Sequence, residues 1–353
     1  MPLYIQYPSW LHPEIIPGLP IRWYGLMYLV AFGITYFLFR RQLKERSIQV
    51  DEDSISGLFF WGILSLLIGA RVFATIVYDT SGIYLRAPWR IFWPFDEKGH
   101  FVGLQGMSYH GGVIGAIIGI AGYCRYKKWS IREIGDLLVA GIPLGYTFGR
   151  LGNFINGELY GRVTTAPIGM IFPQAEQFPV TEPWVREIVE KLNLAVTSGY
   201  VNLPRHPSQL YEALFEGVIL WLILWFLRNR RPFRGFLIGL YLIGYGLFRF
   251  VIEYFREPDA DLGYRIQLVD TGLPPALFSS PFNLSTGQVL CLLMIIGGGI
   301  WLWVASRLPG RELLASSIQA GTFVPGASSE KGRGGAGSNR PKNEQRKLRK
   351  KLR

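Results

Sequence analysis

The chain has 353 residues, of which 49% are hydrophobic and only 18% charged, with a positive mean hydropathy, a balance that suits a membrane protein better than a soluble domain around one core. The formal charge of +12 is uneven, because residues 307–353 hold twelve Lys or Arg against three Glu and so supply +9 of it. Cys124 and Cys291 both fall in apolar runs at different depths, which argues against a disulfide and implies no metal site.

In chain order, MPLYIQYPSWLHPEIIPGLP lacks a basic start, an apolar stretch and a small-residue cleavage site, so no cleavable signal peptide is expected. Apolar runs near the length of a membrane-spanning helix follow at 21–39, 55–77, 109–126, 134–154, 210–227, 236–255 and 286–305. The short basic loops RRQLKER, RYKKWSIR and RNRRPFR follow runs one, three and five, which places them on the cytoplasmic side. The expected fold is therefore an all-α membrane protein of about seven transmembrane helices, N-terminus outside and C-terminus cytoplasmic. Residues 1–308 form the membrane unit, with a small irregular external head at about 155–209, and 309–353 form a flexible basic cytoplasmic tail. That tail reads as a contact for anionic lipid or as simple disorder, not as a nucleic-acid binder, since no aromatic interleaving accompanies it.

Depth along each run places the polar residues. Run four heads outward, and at about 1.5 Å per residue Arg150 lies roughly 24 Å along it. Arg71 on run two has a similar height. Tyr245, Arg249 and Glu253 share one helical face of run six, at i, i+4 and i+8. His110 opens run three and Tyr24 opens run one. Seven polar groups from five helices thus converge on the outer leaflet, where a charged residue at membrane depth is by default a functional candidate. Plainer readings stand beside this one: Arg249 and Glu253 as a structural ion pair, Glu212 and Glu216 as partners for arginines, Tyr24 as an interfacial aromatic, His110 as an interfacial histidine.

At 149–162 the sequence GRLGNFINGELYGR follows run four directly. It is neither a dinucleotide fingerprint nor a P-loop, because no strand precedes it and no Gly-Lys-Ser/Thr follows. Its glycines free the backbone to leave the helix, which membrane depth tolerates only beside protein or a polar cavity. Arg150 and Asn153 can then face an anion, with Glu158 orienting an arginine or the loop. Arginine forks in such a place suit a phosphate.

This motif, together with IRWYGLMYLV, SYHGG, PRHPSQLYE, LIGYGLFRFVIEYFREPD and, more loosely, GQVL, resembles the prolipoprotein diacylglyceryl transferases of bacterial plasma membranes. The resemblance covers runs one to six and the start of run seven. It implies transfer of the diacylglyceryl group of phosphatidylglycerol to the lipobox cysteine thiol of a secreted precursor, with release of glycerol phosphate. It implies Arg150 and Arg249 as the essential arginines, His110 as the histidine implicated in catalysis, and Tyr24, Asn153, Glu158, Gly161, Tyr245, Glu253 and Arg256 as the supporting set. The partners implied are phosphatidylglycerol, the signal peptide of the precursor and membrane lipids, at the outer leaflet of a multi-pass plasma-membrane protein. No cofactor and no metal are expected, because the Asp-x-x-Asp type of acidic cluster is absent from the sequence. A lipid or anion transporter is the alternative, and it predicts two similar halves.

Overall fold

A computed structural model describes residues 4–16, 18, 21–79, 82–95, 98–100, 106–196, 199–257, 263–270 and 272–309. The expected tail lies outside them apart from Pro309. Each of the apolar runs is helical. Helix α1 (Trp23–Glu45) is followed by α2 (Glu52–Val77), which starts where the Asp51 carboxylate accepts the Ser54 amide at 2.7 Å, with Glu52 and Asp53 set against the helix dipole. A short helix α3 (Ile83–Arg86) and a 3-10 turn (Pro88–Phe92) lead to α4 (Tyr109–Lys127), capped by Ser108.

Run four is not one helix. It divides into α5 (Ile131–Val139) and α6 (Ile142–Asn156) at Ala140 and Gly141, where Pro143 in the first turn of α6 has no amide to continue the ladder of α5. Helix α7 (Pro183–Leu192) belongs to the head. Run five is α8 (Ser208–Glu212), a π-helical segment (Ala213–Ile219) and α9 (Leu220–Leu227) in succession. Helix α10 (Phe236–Ile252) carries run six, and α11 (Thr286–Arg307) opens on a capping box between Ser285 and Gln288. Among the described residues three helical rods, Glu52–Val77, Ser208–Leu227 and Thr286–Arg307, are long and apolar enough to cross a membrane.

The head departs from the irregular chain that its sequence predicts. Strand β1 (Ile5–Gln6) pairs in parallel with β2 (Met170–Ile171), and β3 (Gln177–Pro179) pairs antiparallel with β4 (Tyr200–Asn202). With α7 they enclose a core of Val163, Val185, Ile188, Leu192, Val201 and Leu203. Strands of two or three residues carry too little alternation to be read from sequence, since distant partners decide them. A further antiparallel pair, β5 (Tyr264–Ile266) and β6 (Leu284–Ser285), leads into α11.

The helices pack as close pairs: α2 with α4, α1 with α6, and α10 with α11. Small residues make this possible. A Cβ on Gly69 would come within 2.8 Å of Gly115 Cα, and one on Gly119 within 2.7 Å of the Trp61 carbonyl oxygen, so α2 and α4 touch backbone to backbone. Large apolar side chains meanwhile face outward, among them Phe60, Leu67, Ile117, Ile118, Leu293 and Ile300. Helices with small residues inside and large apolar ones outside are what a lipid surround favours. Below the site, Asp136 on α5 accepts the Gly235 amide at 2.8 Å and the Ile238 amide at 3.1 Å, fixing the start of α10, and Arg231 pairs with it at 3.3 Å.

Candidate active site

The stretch GRLGNFINGELYGR has a concrete job. Gly157, with φ of +67°, ends α6 in the left-handed region that glycine adopts most easily, and the Glu158 amide returns to the Asn153 carbonyl at 3.1 Å. The emerging loop is pinned from run five, where Gln209 Nε2 donates to the Glu158 carbonyl at 2.6 Å and Ser208 to that of Leu159 at 3.1 Å. Glu158 accepts from Asn153 Nδ2 at 2.9 Å, so of its two expected roles it takes that of orienting the loop. Gly161 sits where its amide meets the His206 carbonyl at 2.8 Å and a Cβ would collide with the Phe255 carbonyl. What the geometry requires of it is close backbone approach. Burial holds the neighbouring His206 below its ordinary pKa, which keeps that ring neutral at pH 7, with Nδ1 at 3.1 Å from the Tyr211 hydroxyl. Arg162, the second arginine of the motif, turns away and binds the Pro275 and Leu277 carbonyls at 3.0 and 2.8 Å.

Arg150 stays on α6 and points into the helices. Its Nε lies 2.7 Å from Glu212 Oε2 and 2.6 Å from the Tyr146 hydroxyl. Arg249, from α10, places Nη1 at 3.1 Å from the same Glu212 oxygen and Nη2 at 3.0 Å from Glu253. Arg256, just past α10, reaches the other Glu212 oxygen at 3.4 Å. One carboxylate therefore gathers three guanidinium groups from separate parts of the chain. Tyr146 donates to Glu216 Oε2 at 2.5 Å and packs edge-on against Tyr245, ring centroids 5.8 Å apart. Glu253 is itself held by the Ser285 hydroxyl at 3.1 Å, which ties the cluster to the start of α11.

Glu212 and Glu216 are fully buried, whereas each of the three arginine side chains retains 15% exposure. The carboxylates are the deepest part of the cluster and the arginines the less buried part. Both glutamates flank or lie in the π-helical segment, a rare form that recurs at functional sites. Its wider turn is matched by a close approach of α6: Thr147 shares its hydroxyl between the Pro143 and Ala213 carbonyls at 3.3 Å each. A positively charged face built on fixed side chains can bind an anion and stabilise charge that develops on it.

Several expectations change here. Arg71 does not join the cluster. It is buried against the loop between α2 and α4, donating to the Ile91 carbonyl at 2.5 Å and the Gly106 carbonyl at 3.2 Å. Height along a helix fixes depth and leaves the direction around the axis open, and Arg71 faces the other way. His110 is exposed in the first turn of α4, stacked edge-on with Tyr109 at 5.9 Å, and makes no hydrogen bond or ion pair among the described residues. Tyr109 is within electrostatic reach of Tyr245, which sets the start of α4 beside the wall of the cluster. Tyr24 bonds Tyr28 at 2.9 Å between hydroxyls and lies near enough to Arg150 and Glu158 to feel both charges. Arg249 and Glu253 do form an ion pair, as one reading held, within a larger network. Glu212 and Glu216 do partner arginines, as the plainer reading held; what sequence reasoning missed is Tyr146, whose only sequence signal is its i, i+4 spacing to Arg150. Among the described residues no set of His, Cys, Asp or Glu side chains is arranged to hold a metal ion.

Comparison with known proteins bears on the same residues. A family model described as prolipoprotein diacylglyceryl transferase matches residues 13–304, which include every residue of the cluster. Proteins named phosphatidylglycerol–prolipoprotein diacylglyceryl transferase are similar over most of their length. The one from Treponema denticola is 56% identical over 314 residues, 84% of this chain and 93% of the relative. That of Treponema pallidum is 53% identical over 311 residues, with the same coverage of 84% and 93%. That of Chlorobaculum tepidum is 41% identical over 313 residues, 87% of this chain and 94% of the relative. The transporter alternative draws no support from these matches. On the match across 13–304 and on these identities, the chain belongs to the prolipoprotein diacylglyceryl transferase family.

Proposed function

We propose that the protein transfers the diacylglyceryl group of phosphatidylglycerol to the lipobox cysteine thiol of a secreted precursor, working as a seven-span plasma-membrane enzyme whose site faces the outer leaflet. The observation that carries this reading is the gathering of Arg150, Arg249 and Arg256 on Glu212. The names of the relatives supply the substrates, and the three partly exposed arginines suit the phosphate of the lipid.

In the reaction, the substrate thiolate attacks the terminal glycerol carbon that bears the phosphate. A carbon–sulfur bond forms, the carbon–oxygen bond breaks, and its electron pair leaves with glycerol phosphate. The phosphodiester becomes a monoester and gains negative charge as it departs. Arg150 and Arg249 stabilise that increment, which is a transition-state effect and therefore raises the rate. Arg256 and Asn153 support the phosphate side, while Glu158 and Gly161 keep the loop in place. Tyr245 packs against Tyr146 beside the arginines, Glu253 steadies Arg249, and Tyr24 stands at the α1 side. His110, beside Tyr109 and free of other bonds among the described residues, takes the thiol proton as general base.

The direct test incubates purified enzyme with phosphatidylglycerol and a lipobox peptide. A peptide mass increased by one diacylglyceryl group, with equimolar glycerol phosphate released, is the expected result; an unchanged peptide refutes the reading. Topology has its own check. A cysteine introduced at Glu187 in the head should react with an impermeant reagent from outside and one at Ser328 should not.

A further inference from the structure

The arginine cluster poses a problem of release. Its ion-paired side chains are Arg150, Arg249 and Arg256 against Glu212, Glu216 and Glu253, a formally neutral set. The substrate is a phosphodiester with a single negative charge. The departing monoester carries about −1.5 to −2 near pH 7. A bare arginine clamp would hold that product more tightly than the substrate, and turnover would stall on its departure.

Glu212 has the geometry to prevent this. Its Oε2 is shared by Arg150 at 2.7 Å and Arg249 at 3.1 Å, the bridging arrangement that a phosphate oxygen would take between the same two groups. The side chain is fully buried beneath them, so it does not leave the site when substrate arrives. It is rooted in α8 at the edge of the π-helical segment, and Tyr146, which it shares with Glu216, bonds it at 3.4 Å. The donors turned toward it are committed, while each of the three arginine side chains as a whole keeps 15% exposure.

We propose that Glu212 is a positioning residue that acts as an internal anion: it sets Arg150 and Arg249 in the bridging geometry before substrate arrives, and its charge keeps the doubly charged product from being trapped. The proposal rests on the diacylglyceryl-transfer reading above. It makes a prediction of sign. Removing the charge raises anion affinity and slows turnover, whereas a carboxylate that merely propped up the fold would, once removed, let the arginines splay and weaken anion binding.

The experiment uses the full chain in lipid nanodiscs and compares wild type, Glu212→Gln and Glu212→Asp. Steady-state transfer to a lipobox peptide gives kcat and the KM for phosphatidylglycerol, and calorimetric titration with glycerol 1-phosphate gives product affinity directly. For Glu212→Gln the expected results are product binding tighter by roughly tenfold, the scale of one partly screened unit charge a few ångströms away, with kcat lowered and KM not raised. Glu212→Asp keeps the charge, so its product affinity should return to within about threefold of wild type and part of the lost kcat should be restored. Product binding that is unchanged or weaker in Glu212→Gln overturns the proposal, as does failure of both variants to fold, which would assign the carboxylate to the fold. Absence of transfer by wild type overturns the functional reading and this proposal together. Transfer by wild type without tightening in Glu212→Gln overturns the proposal alone.

Discussion

Two buried groups of arginine and carboxylate stand at opposite ends of α10, and they are built differently. At the start of the helix, Asp136 spends its oxygens on the Gly235 and Ile238 amides, and Arg231, only 6% exposed, closes the group together with Glu133. At the far end, about 25 Å away by helical rise, Glu212 meets side chains: three arginines and a tyrosine, with the arginines partly open. A carboxylate tied to backbone amides fixes where helices begin. One tied to other side chains fixes where charges point.

Substitutions should separate the two ends, and the largest effect belongs to the open one. Arg249→Lys keeps the charge and loses the planar fork, so turnover should fall by roughly 10²-fold or more, about 3 kcal/mol, with the thermal midpoint little changed. Near-normal transfer by this variant would make Arg249 a structural partner of Glu253. Asp136→Ala should do the opposite. It leaves Arg231 buried without one partner and two amides without an acceptor, a loss of about 3 kcal/mol of stability, while turnover per folded molecule stays within about twofold. Low activity in folded Asp136→Ala would join the two groups into one functional unit.

A smaller and conditional effect is expected at His110. His110→Gln cannot accept a proton, so a loss of roughly tenfold near pH 7 should shrink toward pH 9 as the substrate thiol, with an ordinary pKa of about 8.5, ionises unaided. An equal defect at every pH assigns the ring to positioning. Least of all should follow from removing residues 310–353: charge on a flexible segment acts near an anionic surface and adds nothing to chemistry across the bilayer, so transfer in detergent should stay at wild-type level. A large loss in the folded truncated protein would connect the tail to the site.

The sequence showed the helical runs well, because twenty apolar residues in a row leave few alternatives, as the agreement of 55–77 with Glu52–Val77 illustrates. It also showed the arginines, whose cost in an apolar run makes them conspicuous. The break between α5 and α6 was within reach, since Gly141 and Pro143 mark it, yet the hydrophobic run continues across and hides it. Spacing set Glu212 and Glu216 one turn apart as partners for arginines, a reading that suits Glu216 above all, and said nothing of how many arginines Glu212 would gather. The importance of Glu212 lies in contacts with α6, with α10 and with Arg256 just past it, and pairings across that much chain leave no periodic trace. Arg71 was placed by height alone and misassigned for that reason. The head strands were invisible because partners more than twenty residues apart create them, as with β3 and β4.

The seam between α2 and α4 constrains movement near the lipid-facing side. Where backbones touch at Gly69, Gly115 and Gly119, neither helix can roll or slide without the other. Arg71 grips the intervening loop from α2, while the Ser108 amide is bonded to the Ala70 carbonyl at 2.9 Å just before His110. The two helices and the turn that carries His110 are therefore tied together. A shift of α2 along α4 would carry the turn that holds His110 with it, because Ser108 at the head of α4 is bonded to α2.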